Sequence, residues 1–139
     1  MDRRRCAGAL IALCAVAPAA LGAAAPIIDE TADGGDYVSL EHDHTFLVKS
    51  TRAITVTLEA GGSWVVNGVV QDVAPDADAR ATLTCGMVYR SRTLLRSARI
   101  AVPRGQKRCK VAVRASSMLP FSMDATEKQS HVRVVVVRA

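Results

Sequence analysis

Alternation of apolar and polar residues dominates this chain, and valine supplies much of it. Leu40, His42, His44, Phe46 and Val48 alternate with Glu41, Asp43, Thr45 and Lys49, with Leu47 as the exception. Ile54, Val56 and Leu58 alternate with Thr55, Thr57 and Glu59 in the same way. A period of two puts each set on its own face of a strand, so both stretches predict half-buried strands. Gly61-Gly62 then interrupts the run, and Asn67-Gly68 follows between the pairs Val65-Val66 and Val69-Val70. Asn and Gly both tolerate the positive φ that a two-residue type I′ turn requires, which predicts a hairpin there.

Residues 74–79 read as a polar connection. After it, Leu83, Cys85, Met87 and Tyr89 share one face of a predicted strand, opposite Thr82, Thr84, Gly86, Val88 and Arg90. Ala98, Ile100 and Val102 lead into Pro103-Arg104-Gly105-Gln106, a predicted turn. Beyond it Cys109, Val111 and Val113 face in, while Arg108, Lys110, Ala112 and Arg114 face out. Residues 116–130 are polar, irregular and interrupted by Pro120, hence a predicted loop. The stretch His131 to Arg138, with valine at 134–137, predicts a last strand covered on both faces.

Half of the residues are apolar, yet the chain has one Trp, two Tyr and two Phe. The core must therefore come mainly from aliphatic side chains, and β-branched valine favours strands. Seven or eight short strands separated by turn signals predict an all-β fold. An antiparallel β-sandwich of immunoglobulin-like topology, or a small barrel, satisfies that pattern. The tryptophan that lies between two cysteines in antibody domains has no counterpart, because Trp64 precedes both later cysteines.

The first residues change the picture of compartment. Arg3-Arg4-Arg5, an apolar run over 6–17 and then small residues form the layout of a cleavable signal peptide, assigned to 1–24. Its apolar run is too short for a hydrocarbon layer that needs ~20 residues, and no later stretch supplies one. Residues 25–36 mix acids, Gly and Pro without a period and read as a flexible acidic lead-in. Residues 37–139 read as a single β domain, secreted or periplasmic. Cys85 and Cys109 remain after cleavage, and an even pair in an oxidising compartment predicts a disulfide.

Charge is strongly segregated along the chain. Residues 26–79 hold ten acidic and two basic residues, and residues 80–139 hold thirteen basic and two acidic. Arg90, Arg92, Arg104, Lys107, Arg108, Lys110 and Arg114 fall on an expected β-hairpin and form a candidate anion-binding face. Guanidinium groups suit bidentate contact with phosphate or carboxylate. An envelope polysaccharide, a lipid head group or an acidic protein fits such a face. Nucleic acid does not, because no aromatics interleave to stack bases. The competing reading is that the acidic half folds against the basic half and neutralises it.

Three weaker features remain. On one strand His42 and His44 point the same way and suit zinc or copper, with His131 as a third ligand only if its strand is a neighbour. Met118, Leu119 and Phe121 form either a partner-binding loop or a lid on the core. No nucleophile elbow, phosphate loop or zinc-protease motif occurs, so neither an enzyme nor a cofactor is expected. A structural subunit of a surface assembly is the last alternative, although residues 25–36 lack the alternating apolar pattern that strand donation requires.

Overall fold

A computed structural model describes residues 25–139. The predicted signal segment, 1–24, lies outside them. Nine strands account for the regular structure: β1 (Ile28–Gly34), β2 (Tyr37–Leu47), β3 (Ala53–Val66), β4 (Val69–Val73), β5 (Asp76–Cys85), β6 (Val88–Leu94), β7 (Ser97–Ala101), β8 (Arg108–Met118) and β9 (Thr126–Arg138). They form two antiparallel sheets packed as a sandwich. One has the order β1-β9-β3-β4, with β7 pairing the other half of the same edge of β3, and the second has the order β2-β8-β5-β6. With β4 set aside as an excursion, β1-β9-β3-β7 faces β2-β8-β5-β6, the strand order of an eight-stranded jelly roll. No helix among the described residues is long and apolar enough to cross a membrane.

The alternation read from the sequence is what builds the core. Val111 and Val113 from β8, and Ala81 and Leu83 from β5, line the inner face of one sheet. Ile54, Val56 and Leu58 from β3, with Val132, Val134 and Val136 from β9, line the other. Burying each valine or leucine contributes about 1.5–3 kcal/mol before chain entropy is subtracted. The Asn67-Gly68 hairpin forms as its composition demands, with φ of 52° and 77° and Val66 opposite Val69.

Several boundaries differ from those the pattern predicts. The acidic lead-in is not flexible throughout, because residues 28–34 are strand β1, hydrogen-bonded to β9 with Ile28 buried. Two of its acids, Asp29 and Glu30, have partners that only the fold supplies. Asp29 accepts two 2.9 Å hydrogen bonds from the Arg133 guanidinium, which also lies 3.7 Å from Glu59 on β3. Those hydrogen bonds hold the Asp29 carboxyl below its ordinary pKa. The stabilisation is therefore present above the ordinary aspartate range and is lost as pH falls through the depressed value.

The expected strand through Met87 and Tyr89 is broken in two. Gly86 takes a φ of 59° and, with Met87, makes the two-residue turn joining β5 to β6. A positive φ at the first central position alone is the type II′ pattern. Met87 and Tyr89 are consequently exposed rather than buried. The polar connection at 74–79 is shorter than expected, because β5 already begins at Asp76 and its small Ala77 and Ala79 face inward. The loop expected at 116–130 shrinks to 119–125. Ser116 lies on the solvent face of β8, and polar residues at 126–130 open β9. Val135 and Val137 are only half-buried, since the outer face of β9 is not fully covered.

The Arg90–Arg114 hairpin does not form. β7 pairs with β3 and β8 with β2 and β5, so the turn at 102–107 passes between sheets. The predicted disulfide does form between Cys85 and Cys109. These cysteines sit one position beyond the last paired residues of β5 and β8, Thr84 and Lys110. The bridge therefore joins neighbouring strands of one sheet and does not clasp the two layers together, unlike the inter-sheet cystine of antibody domains.

A basic end and an acidic end

β2 and β8 lie side by side, so the loop leaving β2 and the loop entering β8 emerge at the same end of the sandwich. Val48 N–H donates to Lys107 C=O and Val102 N–H donates to Arg52 C=O, each at 2.8 Å, which ties the two loops together. A third contact fixes the first of these loops to β9. One Arg138 nitrogen donates to Leu47 C=O at 2.8 Å and to Thr51 Oγ1 at 2.6 Å, with the guanidinium 5.4 Å from the Phe46 ring centre. Gly105 takes a φ of 81°, which allows the tight reversal before Lys107. The cystine anchors β8 just beyond this turn.

These loops carry the exposed cations Lys49, Arg52, Arg104 and Lys107, with exposed Arg108 adjoining at the start of β8, and neither contains an acidic residue. Among the described residues none of the five takes part in an ion pair. The loops enclose a shallow groove floored by Val48, Val102 and Pro103. Guanidinium and ammonium groups held on a hydrogen-bonded backbone produce a positive potential in which anions concentrate.

The opposite end has the reverse charge. β8 is 11 residues long, which separates the ends by about 33 Å. There the turn 34–36, the β4–β5 connection and the 119–125 loop bring together exposed Asp33, Asp36, Asp72, Asp76, Asp124 and Glu127. Leu119 N–H donates to Asp36 C=O, and the buried Leu119 side chain packs on Gly62. Asp36 is paired with Lys128 at 3.3 Å. The segregation along the chain has become a segregation between the two ends of the molecule.

The seven basic residues singled out in the sequence separate into three groups. Arg104, Lys107 and Arg108 lie at the basic end, where Lys49 and Arg52 join them. Those two sit in the acidic half of the chain, where charge along the sequence does not single them out. Lys110 and Arg114 project from the outer face of β8 and meet β2, Lys110 with Asp43 at 3.4 Å and Arg114 with Glu41 at 2.7 Å. There the two halves of the chain do neutralise each other. Arg90 and Arg92 lie on the inward side of edge strand β6, opposite Leu83 and Ala81. Arg90 donates to Ala101 C=O on β7 at 2.7 Å, closing that side of the sandwich.

His42 and His44 share the inward side of edge strand β2, as alternation requires. His42 lies 3.9 Å from Glu30 on edge strand β1. His131 does not join them, because it stands on the outer face of the other sheet against Gly61. No group of three or more metal-ligating side chains occurs among the described residues. Of the three residues considered as a loop or lid, Leu119 closes the core, whereas Met118 and Phe121 are exposed.

No protein family and no curated protein matches the chain. Among solved structures it is similar to TmCBM61, determined in complex with beta-1,4-galactotriose. The two are 8% identical over 78% of this chain and 69% of that one, with a TM-score of 0.43. A likeness of that degree leaves the function to be argued from this chain's own geometry.

Proposed function

We propose that this is an exported, non-enzymatic binding protein that receives an anionic partner on its basic end. The observation that carries the reading is the joining of two cationic loops, 48–52 and 102–107, by backbone hydrogen bonds, with Arg108 adjoining. Neither loop has a carboxylate to satisfy its cations internally. Arg138 and the Cys85–Cys109 bridge hold the loops in place, so little ordering entropy opposes binding. Phosphate, sulfate and carboxylate groups all match the donors presented. The outer faces of β2 and β8 contribute less, because Lys110 and Arg114 already have partners there.

The test is retention of the exported protein on an immobilised sulfated polysaccharide, eluted with rising salt beside an uncharged polysaccharide control. Retention confined to the sulfated matrix and falling steeply from about 50 to about 500 mM salt, as the Debye length shrinks from roughly 14 to roughly 4 Å, is the expected result. Arg104→Ser with Arg108→Ser should elute at much lower salt than the parent. Equal retention on both matrices, or no change in that variant, would overturn the reading.

A further inference from the structure

We propose that the partner of the basic end is the acidic end of a second copy of this chain, so that copies associate end to end. This deepens the preceding reading of the basic end as a docking surface and rests on it. Charge complementarity is the first ground. Four cations and no acids occupy the basic loops, with Arg108 adjoining, and six carboxylates, one of them paired with Lys128, surround the far end, about 33 Å away along the strands. Opposite charge at the two ends favours contacts that bring the basic end of one copy against the acidic end of another.

Apolar exposure is the second ground. Phe121 and Met123 are each 86% exposed beside the acidic residues of the 119–125 loop. At the basic end Met87 is 100% exposed on the β5–β6 turn, and Leu47 is half exposed at the end of β2. Each end thus combines an excess of one sign of charge with large exposed apolar side chains that a partner would cover. Aromatic and methionine side chains in the middle of charged surroundings are the composition of an interface core with a polar rim.

The third ground is what the sides of the sandwich present. Both lateral openings are lined by inward-facing polar groups, Glu30 with His42 at one and Arg90 with Arg92 at the other. Inward charges on edge strands disfavour side-by-side strand addition. Strand addition at those two openings is therefore disfavoured, which favours contact through the ends. A contact between two different surfaces of one chain is heterologous, and where the rotation between copies does not close a ring it continues as a filament. Strand donation by residues 25–36 is not needed, since 28–34 already pair with β9.

Sedimentation velocity of the exported protein across concentration, at low and high salt, tests this. A series of species above monomer at low salt, collapsing to monomer at high salt, is expected. Two variants each remove one end without reversing its charge: Arg52→Ser with Arg104→Ser, and Phe121→Ser with Asp124→Ser. Each alone should remain monomeric, and an equimolar mixture should stop at a one-to-one dimer, because each chain keeps one competent end. All substituted side chains are exposed, and an unchanged circular-dichroism spectrum with cooperative melting confirms that the variants fold. A parent that is monomeric at all concentrations, or a mixture that stays monomeric, overturns end-to-end association. Retention of the Phe121→Ser, Asp124→Ser variant on the sulfated matrix separates the readings. If it binds there while the mixture fails to pair, self-association falls and anion binding stands. If it does neither, both fall.

Discussion

The two ends of the sandwich differ in construction as well as in charge. The basic end is cross-linked from several directions: the cystine below it, two loop-to-loop backbone hydrogen bonds, and the Arg138 guanidinium over Phe46. The acidic end is closed by Leu119 on Gly62, by Ser130 donating to Gly35 C=O at 2.7 Å, and by the Lys128–Asp36 pair. It also contains the Ser117 hydroxyl, buried without a hydrogen-bond partner among the described residues. The difference teaches how a cationic cluster is held together. Like charges repel, so the backbone beneath them has to be fixed by contacts that do not depend on neutralisation.

The largest test of that contrast is removal of the cystine. Closing a loop with a sequence separation of 24 contributes roughly 3.5 kcal/mol in the chain-entropy description, so Cys85→Ala with Cys109→Ala should lower unfolding free energy by about that amount. Urea denaturation reads the loss. Amide exchange should accelerate more in 48–52 and 102–107 than in 119–125, and uniform acceleration would break the comparison. Next in size is Arg138→Ala, which leaves Leu47 C=O and Thr51 Oγ1 without their charged donor and should cost about 1.5–3 kcal/mol. Arg138→Lys should recover only part of this, because one ammonium nitrogen can donate to both acceptors but gives up the planar guanidinium contact over Phe46. The smallest effect belongs to the acidic end. Ser117→Ala removes an unsatisfied buried hydroxyl and should stabilise by about 1 kcal/mol, whereas Ser130→Ala, losing a made hydrogen bond, should destabilise by a similar amount. Thermal melts of the pair decide the matter, and the same sign for both would sink the distinction.

Much of the fold was legible from the chain. The alternations at 40–48, 54–58 and 109–113, together with Asn67-Gly68, gave the strand faces and one hairpin without any tertiary knowledge. Misreadings arose where two physical signals compete. Leu83 through Tyr89 keeps a period of two, yet Gly86 reverses the chain and Met87 becomes solvent-exposed. Residues 28–34 look like a solvated acidic tail because Arg133, the partner of Asp29, lies more than a hundred positions away. In the candidate site, Arg104, Lys107 and Arg108 could be picked out by charge alone. Lys49 and Arg52 could not, since nothing local says which loops share an end.

What the sequence by itself determined was therefore composition and period: an all-β chain with an aliphatic core, a cysteine pair on inward positions, and basic residues gathered in its second half. Those properties follow from neighbours a few residues apart, which is the range over which strand faces and turns are set. Tertiary structure alone decided that the cystine lies within one sheet, and that Lys110 and Arg114 are neutralised while Arg90 and Arg92 turn inward. It also decided that opposite charges collect at opposite ends. Such outcomes depend on which strands become neighbours, and pairing partners scores of residues apart are chosen by burial of the whole core rather than by any local pattern.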